Sequence, residues 1–109
     1  MTKKILFVCL GNICRSPTAH AVMRSKSSQL KLSIEIESAG TSASHRGEKP
    51  DSRSMREGSA AGYHFDGIVS RPVKDSDFTY YDVILAMDND NLRVLQQRCP
   101  PMYQHKLQL

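Results

Sequence analysis

The stretch that most constrains the fold is ILFVCLGNICRSPTAHAV, at residues 5–22. Its uninterrupted apolar run, which ends at Cys9, is typical of a strand buried on both faces, as in a parallel sheet. Ser16 and Pro17 favour the start of a helix, because serine can cap a helix and proline suits its first position. The sequence therefore predicts a strand that turns through a short loop directly into a helix.

The rest of the chain alternates between the same two kinds of element. Apolar or alternating runs predict strands at residues 32–38 and 82–87, and HKLQL at 105–109 predicts the start of a further strand. Helices are predicted at residues 17–27, 52–61 and 88–98. The segment FDGIVSRPV is ambiguous, since Pro72 restricts it to a sheet edge or a loop. This alternation predicts an α/β fold with a parallel sheet and right-handed connections.

Length and composition are those of one small globular domain, residues 1–109. Three cysteines make an odd, small set that argues against a disulfide framework and for the cytoplasm. No apolar stretch is long enough to span a bilayer, and the short N-terminal one is broken by Gly11 and Asn12. We therefore expect neither a targeting segment nor a membrane partner.

The net charge of +4 does not by itself indicate that the protein binds nucleic acid. The lysines and arginines are scattered, whereas nucleic-acid binders cluster basic residues on one face. We expect no nucleic-acid partner, and the positive charge suits an anionic small substrate.

The loop that follows Cys9 has the residue types of an anion site. Gly11 and Asn12 tolerate positive φ, so backbone N–H groups at the helix start can point inward and bind a phosphate. Arg15 adds a planar fork for two phosphate oxygens, and the same surroundings favour Cys9 as a thiolate that Ser16 can hydrogen-bond. These features predict attack of the Cys9 sulfur on a bound phosphoryl group.

The segment VCLGNICRSPTA resembles the signature loop of the low-molecular-weight protein tyrosine phosphatases. ESAGTS, GEKPDSR, SRPVKDSDF and YDVILAMDNDNL resemble later segments of that family, so the resemblance covers essentially the whole chain. It implies a small doubly wound sheet with helices on both faces. It also implies hydrolysis of protein phosphotyrosine or small phosphomonoesters through a phosphocysteine, without cofactor or metal.

The resemblance also implies roles for individual residues. Cys9 is the nucleophile, Arg15 binds phosphate and stabilises the transition state, and Ser16 assists the thiolate. Asn12 holds the loop shape with Ser38 as its partner, and Cys14 can form a reversible disulfide with Cys9. The implied phosphate-binding set is Leu10, Gly11, Asn12, Ile13, Cys14, Arg15 and Ser16.

The general acid is the main departure from the family pattern. Relatives supply it from an Asp-Pro dipeptide in a later loop, but this sequence has no Asp-Pro and no acidic residue after Asp90. No general acid is found, and Asp88 and Asp90 are the first residues to check. We expect either a truncated chain, lacking the last strand and helix, or a natural short form that turns over slowly. A missing helix would leave one sheet face uncovered, which predicts low stability or self-association, and we expect a monomer or a weakly self-associating species.

Three other functions stay open. A non-catalytic phosphate or phosphotyrosine-binding module also fits the absence of an acid. Phosphoarginine phosphatases usually carry threonine at the position of Ile13, and related arsenate reductases need further cysteines, of which only Cys99 is available. A zinc site would need more ligands than Cys9 and Cys14 in a recognised spacing, so no metal is expected.

Histidines and neighbouring positions add smaller departures. His20 stands where the family usually has glutamate, and we interpret it as a helix residue rather than a base. His45 is either at the rim of the cleft or on a solvated loop. Ser44 replaces the bulky aromatic of many relatives, and Ile68 replaces a histidine that supports the loop in some of them.

Overall fold

A four-stranded parallel sheet forms the centre of the computed structural model, which describes residues 2–109. The strands are β1 (Lys3–Cys9), β2 (Ile34–Gly40), β3 (Val83–Ala86) and β4 (Leu107–Gln108). Their order across the sheet is β2-β1-β3-β4, and every neighbouring pair is parallel. The predicted α/β fold with a parallel sheet is thus confirmed.

Helices connect the strands and cover both faces of the sheet. They are α1 (Arg15–Gln29), α2 (Ser52–Ala60), α3 (Ser76–Tyr80) and α4 (Asn89–Arg98), followed by a 3₁₀ helix at Pro101–Lys106. Asp51 caps α2 and Asp88 caps α4, since each carboxylate accepts from the N–H three residues later. The sequence analysis missed α3, a short helix in a stretch to which it assigned no element.

The start of α1 differs from the prediction. The helix begins at Arg15, two positions before Pro17, and Cys14 takes the N-cap position without a side-chain bond. The prediction that Ser16 caps this helix is wrong, because its hydroxyl faces the Cys9 sulfur instead.

One face of the sheet carries the main core. Leu6, Val8 and Ile84 are completely buried there and pack with residues of α3 and α4, Phe78 and Leu95 among them. Register places Phe7, Ser38 and Leu85 side by side on the opposite face, where α1 packs against β1 and β2. The carboxyl end of β1, at Cys9, lies where the chain enters α1.

A smaller apolar cluster forms where the segment between α2 and α3 packs against α1. Ala21 of α1 packs there with Phe65 and Ile68, and Met55 of α2 joins them. Ile68 therefore has a packing role. Across residues 2–109, no helix combines the length and the apolar character needed to cross a membrane.

Candidate active site

Asn12 fixes the shape of the loop between β1 and α1. It adopts a left-handed backbone conformation, with φ of 55°, and is completely buried. Its side-chain N–H donates to Ser16 Oγ at 2.8 Å, and its Oδ1 accepts the backbone N–H of Arg71 at 3.0 Å. Both ends of the amide are thus used, and the strained turn is held from two sides.

The carbonyl groups and the N–H groups of this loop differ in their hydrogen bonding. The carbonyls of Leu10, Gly11 and Ile13 accept hydrogen bonds from Ser42 N, Ser70 Oγ and Asp51 N, which lie outside the loop. In contrast, four loop N–H groups have no acceptor anywhere in residues 2–109; they belong to Leu10, Gly11, Ile13 and Cys14. Free N–H groups that converge at a helix start bind anions.

Cys9 lies at the base of the loop with two donors on its sulfur. Cys9 is 3% exposed, and its Sγ accepts the backbone N–H of Asn12 at 3.3 Å. Ser16 Oγ lies 2.9 Å from the same sulfur. Since Asn12 donates to Ser16 Oγ, the single Ser16 proton is left for Cys9, which is closer than the Ala39 carbonyl at 3.5 Å. Two hydrogen-bond donors thus meet at the Cys9 sulfur.

Arg15 forms an ion pair with Asp88 at the mouth of the site. Its Nη1 donates to Asp88 Oδ2 at 2.9 Å, and this bond raises the pKa of Arg15 above its ordinary value. The backbone N–H of Asn91 and the Arg15 guanidinium hold the pKa of Asp88 below its usual range. Asp88 is therefore ionised at neutral pH, as the acceptor in a helix cap and an ion pair, and is poorly suited to donate a proton.

An open cavity of about 270 Å³ joins these groups. Its lining combines residues of the loop with residues that follow β2: Cys9, Leu10, Gly11, Ile13, Cys14, Arg15, Ser42, Ser44 and His45. Leu10 is 61% exposed, so an apolar side chain stands beside the cavity. Asn12 and Ser16 lie buried behind the lining, and His45, whose side chain is 40% exposed on its loop, forms part of the lining.

Ser38 does not partner Asn12 as expected. Its hydroxyl lies 3.0 Å from Nδ1 of His20, which is 4% exposed. Arg24 Nη2 donates to the other ring nitrogen at 3.1 Å, so the proton of the neutral ring is on Nδ1 and is donated to Ser38. Burial and the Arg24 charge lower the pKa of His20 to about 4. The sequence analysis missed this bond between His20 and Ser38.

The other cysteines have separate surroundings. Cys14 is exposed and its sulfur lies 3.3 Å from Ser54 Oγ of α2. Cys99 is buried in the main core, and burial raises the pKa of its thiol. Both are free thiols, as is Cys9.

Asp90 and Tyr80 both lie away from the cavity. Asp90 is exposed and pairs with Arg93 along α4. Tyr80 stacks on the Lys4 ammonium at the opposite end of β1 from Cys9. Within the described part of the chain, no three His, Cys, Asp or Glu side chains group closely enough to hold a metal ion.

Comparison with known proteins identifies the same family that the loop resembles. The family model described as low molecular weight phosphotyrosine protein phosphatase matches residues 4–109. A phosphatase of that name from Schizosaccharomyces pombe is 42% identical over 114 residues, which is 100% of this chain and 72% of the relative. A provisionally named low molecular weight protein-tyrosine-phosphatase from Synechocystis is 44% identical over 97% of this chain and 69% of its own.

The fold agrees with these relatives. The crystal structure of a protein tyrosine phosphatase from Entamoeba histolytica superposes with a TM-score of 0.93 at 48% identity, covering 97% of this chain and 69% of that one. The chain thus belongs to the low molecular weight phosphotyrosine protein phosphatase family.

Proposed function

We propose that this chain hydrolyses phosphate monoesters through a covalent phosphocysteine on Cys9. The observation that carries the proposal is the pair of donors on the Cys9 sulfur, 2.9 Å and 3.3 Å away, at the base of a loop whose N–H groups have no acceptor within residues 2–109. A thiolate with an adjacent anion cradle is the arrangement that nucleophilic attack on a phosphoryl group requires.

The reaction follows from this arrangement. The free N–H groups and the Arg15 fork bind the three non-bridging oxygens and stabilise the charge that develops on them. The thiolate attacks phosphorus in line with the ester oxygen, which leaves. Water then releases phosphate from sulfur, and the Ser16 hydroxyl stabilises the departing thiolate, because it already lies within hydrogen-bond distance.

The substrate that we propose is protein phosphotyrosine, with small aryl phosphates as alternatives. Leu10 and Ile13 give the cavity an apolar wall that suits an aromatic ring. The names of the relatives support the same substrate class. A phosphoarginine phosphatase remains the rival, and paired assays with phosphotyrosine and phosphoarginine peptides separate the two.

We further propose that the protein works in a reducing compartment, the cytoplasm, as a monomer or a weakly self-associating species. A free, partly exposed thiol at Cys14 beside the Cys9 site would be oxidised easily elsewhere. The proposed chemistry uses neither cofactor nor metal.

Trapping the phosphoenzyme tests the central proposal. Rapid acid quenching with a ³²P-labelled aryl phosphate is expected to place label on Cys9, and Cys9→Ser is expected to abolish the label while retaining vanadate binding. Cys99→Ser is the matched control and should still be labelled. Phosphate binding without Cys9-dependent turnover would instead identify a binding module.

A further inference from the structure

The segment of residues 42–54, which follows β2 and enters α2, is attached along one side of the loop between β1 and α1. Near one end of the segment, the Ser42 N–H donates to the Leu10 carbonyl at 2.9 Å. Near the other end, the Asp51 N–H donates to the Ile13 carbonyl. Both ends of the segment are therefore held against the loop that would bind phosphate.

Side chains add two more contacts between this segment and the loop. A methyl group built on Gly11 would come within 2.8 Å of the His45 ring carbon Cδ2, so the ring lies directly against Gly11. Ser54 Oγ lies 3.3 Å from the Cys14 sulfur. The segment thus forms the wall of the cavity on the β2 side.

Three cations on this wall have no partner. Arg46, Lys49 and Arg53 are exposed, and none of them forms an ion pair with an acidic group in residues 2–109. Each is no more than two positions from a residue that contacts the loop, and consecutive Cα atoms are only about 3.8 Å apart. Their long side chains can therefore reach the mouth of the cavity, and we call these three residues the basic rim.

The acidic residues of the same segment are already engaged. Glu48 Oε2 lies 2.6 Å from His45 Nδ1. Asp51 accepts the Ser54 N–H at 3.1 Å as the cap of α2. Since both carboxylates have partners within the segment, the basic rim keeps a net positive charge.

The other side of the mouth carries no free cation. Because β1 lies between β2 and β3, the segment after β3 faces the basic rim across the end of β1. The charged residues between positions 87 and 93 are all paired, Asp88 with Arg15 and Asp90 with Arg93. A peptide that crosses the mouth would therefore meet unpaired positive charge on the β2 side.

We propose that the basic rim selects phosphotyrosine segments in which acidic residues flank the phosphotyrosine. This inference rests on the proposed function and specifies the charge of its substrate. With the phosphate in the loop, aspartate or glutamate residues beside it come within about a Debye length, ~8 Å at physiological salt, of the rim cations. Exposed charges of this kind act mainly by steering the encounter, so the effect belongs to kcat/KM.

Three phosphotyrosine peptides of equal length test the preference: one with neutral flanks, one acidic on the amino side and one acidic on the carboxyl side. At low ionic strength, kcat/KM for at least one acidic peptide is expected to exceed that for the neutral peptide about 10-fold. Combining Arg46→Gln, Lys49→Gln and Arg53→Gln should bring this ratio close to one. About 0.5 M salt should reduce it in the wild-type protein, because the Debye length then falls to a few ångströms.

A matched control removes the same number of charges from the far end of the sheet. Lys3, Lys26 and Lys31 are exposed and lie at the start of β1 or near the end of α1, away from Cys9. Combining Lys3→Gln, Lys26→Gln and Lys31→Gln should leave the ratio at its wild-type value. Loss of the preference in this control as well would overturn the assignment to the basic rim, since overall charge would then explain it.

Equal kcat/KM for all three peptides in the wild-type protein would overturn the proposal, as would a preference that survives in the basic-rim variant. Peptide binding to Cys9→Ser, followed by fluorescence anisotropy, separates this inference from the proposed function because it needs no turnover. Tighter binding of an acidic peptide, without Cys9-dependent turnover in the wild-type protein, would overturn the proposed hydrolysis and leave the preference in place.

Discussion

Arg15 is the cation that the proposed reaction needs, and it is already oriented before substrate arrives. Its Nη1 donates to Asp88 across the mouth of the site, in a pair whose side chains are about half exposed. A pair this exposed adds little to stability, so its value lies in orienting the guanidinium. The remaining N–H groups of the planar fork are then free to bind two oxygens of a phosphate.

Replacing Arg15 by lysine should separate charge from geometry. Lysine keeps the positive charge but supplies a point donor instead of a fork, so kcat/KM for an aryl phosphate is expected to fall about 100-fold. Arg93→Lys is the control, since Arg93 is also an exposed arginine paired with an aspartate, Asp90. Near wild-type rates in Arg15→Lys would contradict the role of the fork.

Asp88 is a cap and an ion-pair partner rather than an acid in our interpretation. Its pKa is lowered by the Asn91 N–H and by Arg15, so it holds no proton to donate at neutral pH. Asp88→Asn keeps a side chain that caps a helix equally well, and kcat is expected to change less than about 10-fold. Steady-state kinetics check this, with Asp90→Asn measured in parallel as the control. A large loss confined to substrates with poor leaving groups would instead identify Asp88 as the general acid.

At the scale of elements, α1 and β2 are joined by a buried histidine. His20 donates to Ser38 on β2 and accepts from Arg24 one turn further along α1. Glu37 Oε1 lies 3.8 Å from the ring, close enough to attract a charged imidazole, yet burial and Arg24 keep the ring neutral. The helix that carries Ser16 into the site is thus held in register with the sheet.

This histidine should make folding sensitive to acid. The pKa of His20 is about 4 in the folded chain, against about 6.5 when unfolded. As the pH falls through 6.5 the unfolded chain takes up a proton that the folded chain refuses, so stability falls until about pH 4. Between about pH 7.5 and pH 5 this amounts to about 2 kcal/mol.

Urea unfolding of His20→Gln at the two pH values measures that contribution. The difference in unfolding free energy between them should be about 2 kcal/mol smaller than in the wild-type protein. His64→Gln, which alters an exposed histidine, should keep the wild-type difference. An unchanged difference in His20→Gln would mean that other groups carry the acid sensitivity.

What the sequence predicts correctly is what lies close together along the chain. Cys9 and Ser16 belong to one strand, loop and helix, so their meeting follows from local residue types. The bond between Arg71 N and Asn12 joins residues 59 positions apart through a backbone N–H, which every residue except proline carries. No side-chain pattern can indicate such a bond. The pairing of His20 with Ser38 was likewise missed, since either residue is ordinary in its own element.

At the scale of the whole molecule, the two sheet faces differ in how completely they are covered. On β3, Ile84 points into the main core and is fully buried, while Leu85 beside it points to the face of Phe7 and is only partly buried. Helix α1 lies over β1 and β2 on that second face, so β3 is less covered there. The main core should therefore supply most of the stability.

Alanine substitutions at these two neighbours compare the faces directly. Ile84→Ala leaves a cavity among packed side chains and is expected to lower the free energy of unfolding by about 2–5 kcal/mol. Leu85→Ala removes a side chain of the same size from a partly exposed position, so its cost should be roughly half of that or less. Urea unfolding of both variants at neutral pH gives the comparison. Phosphate binding by each folded variant, measured without urea, checks that the site persists. Equal costs would mean that the second face is as tightly packed as the first, because the loss of a side chain destabilises in proportion to the contacts it made.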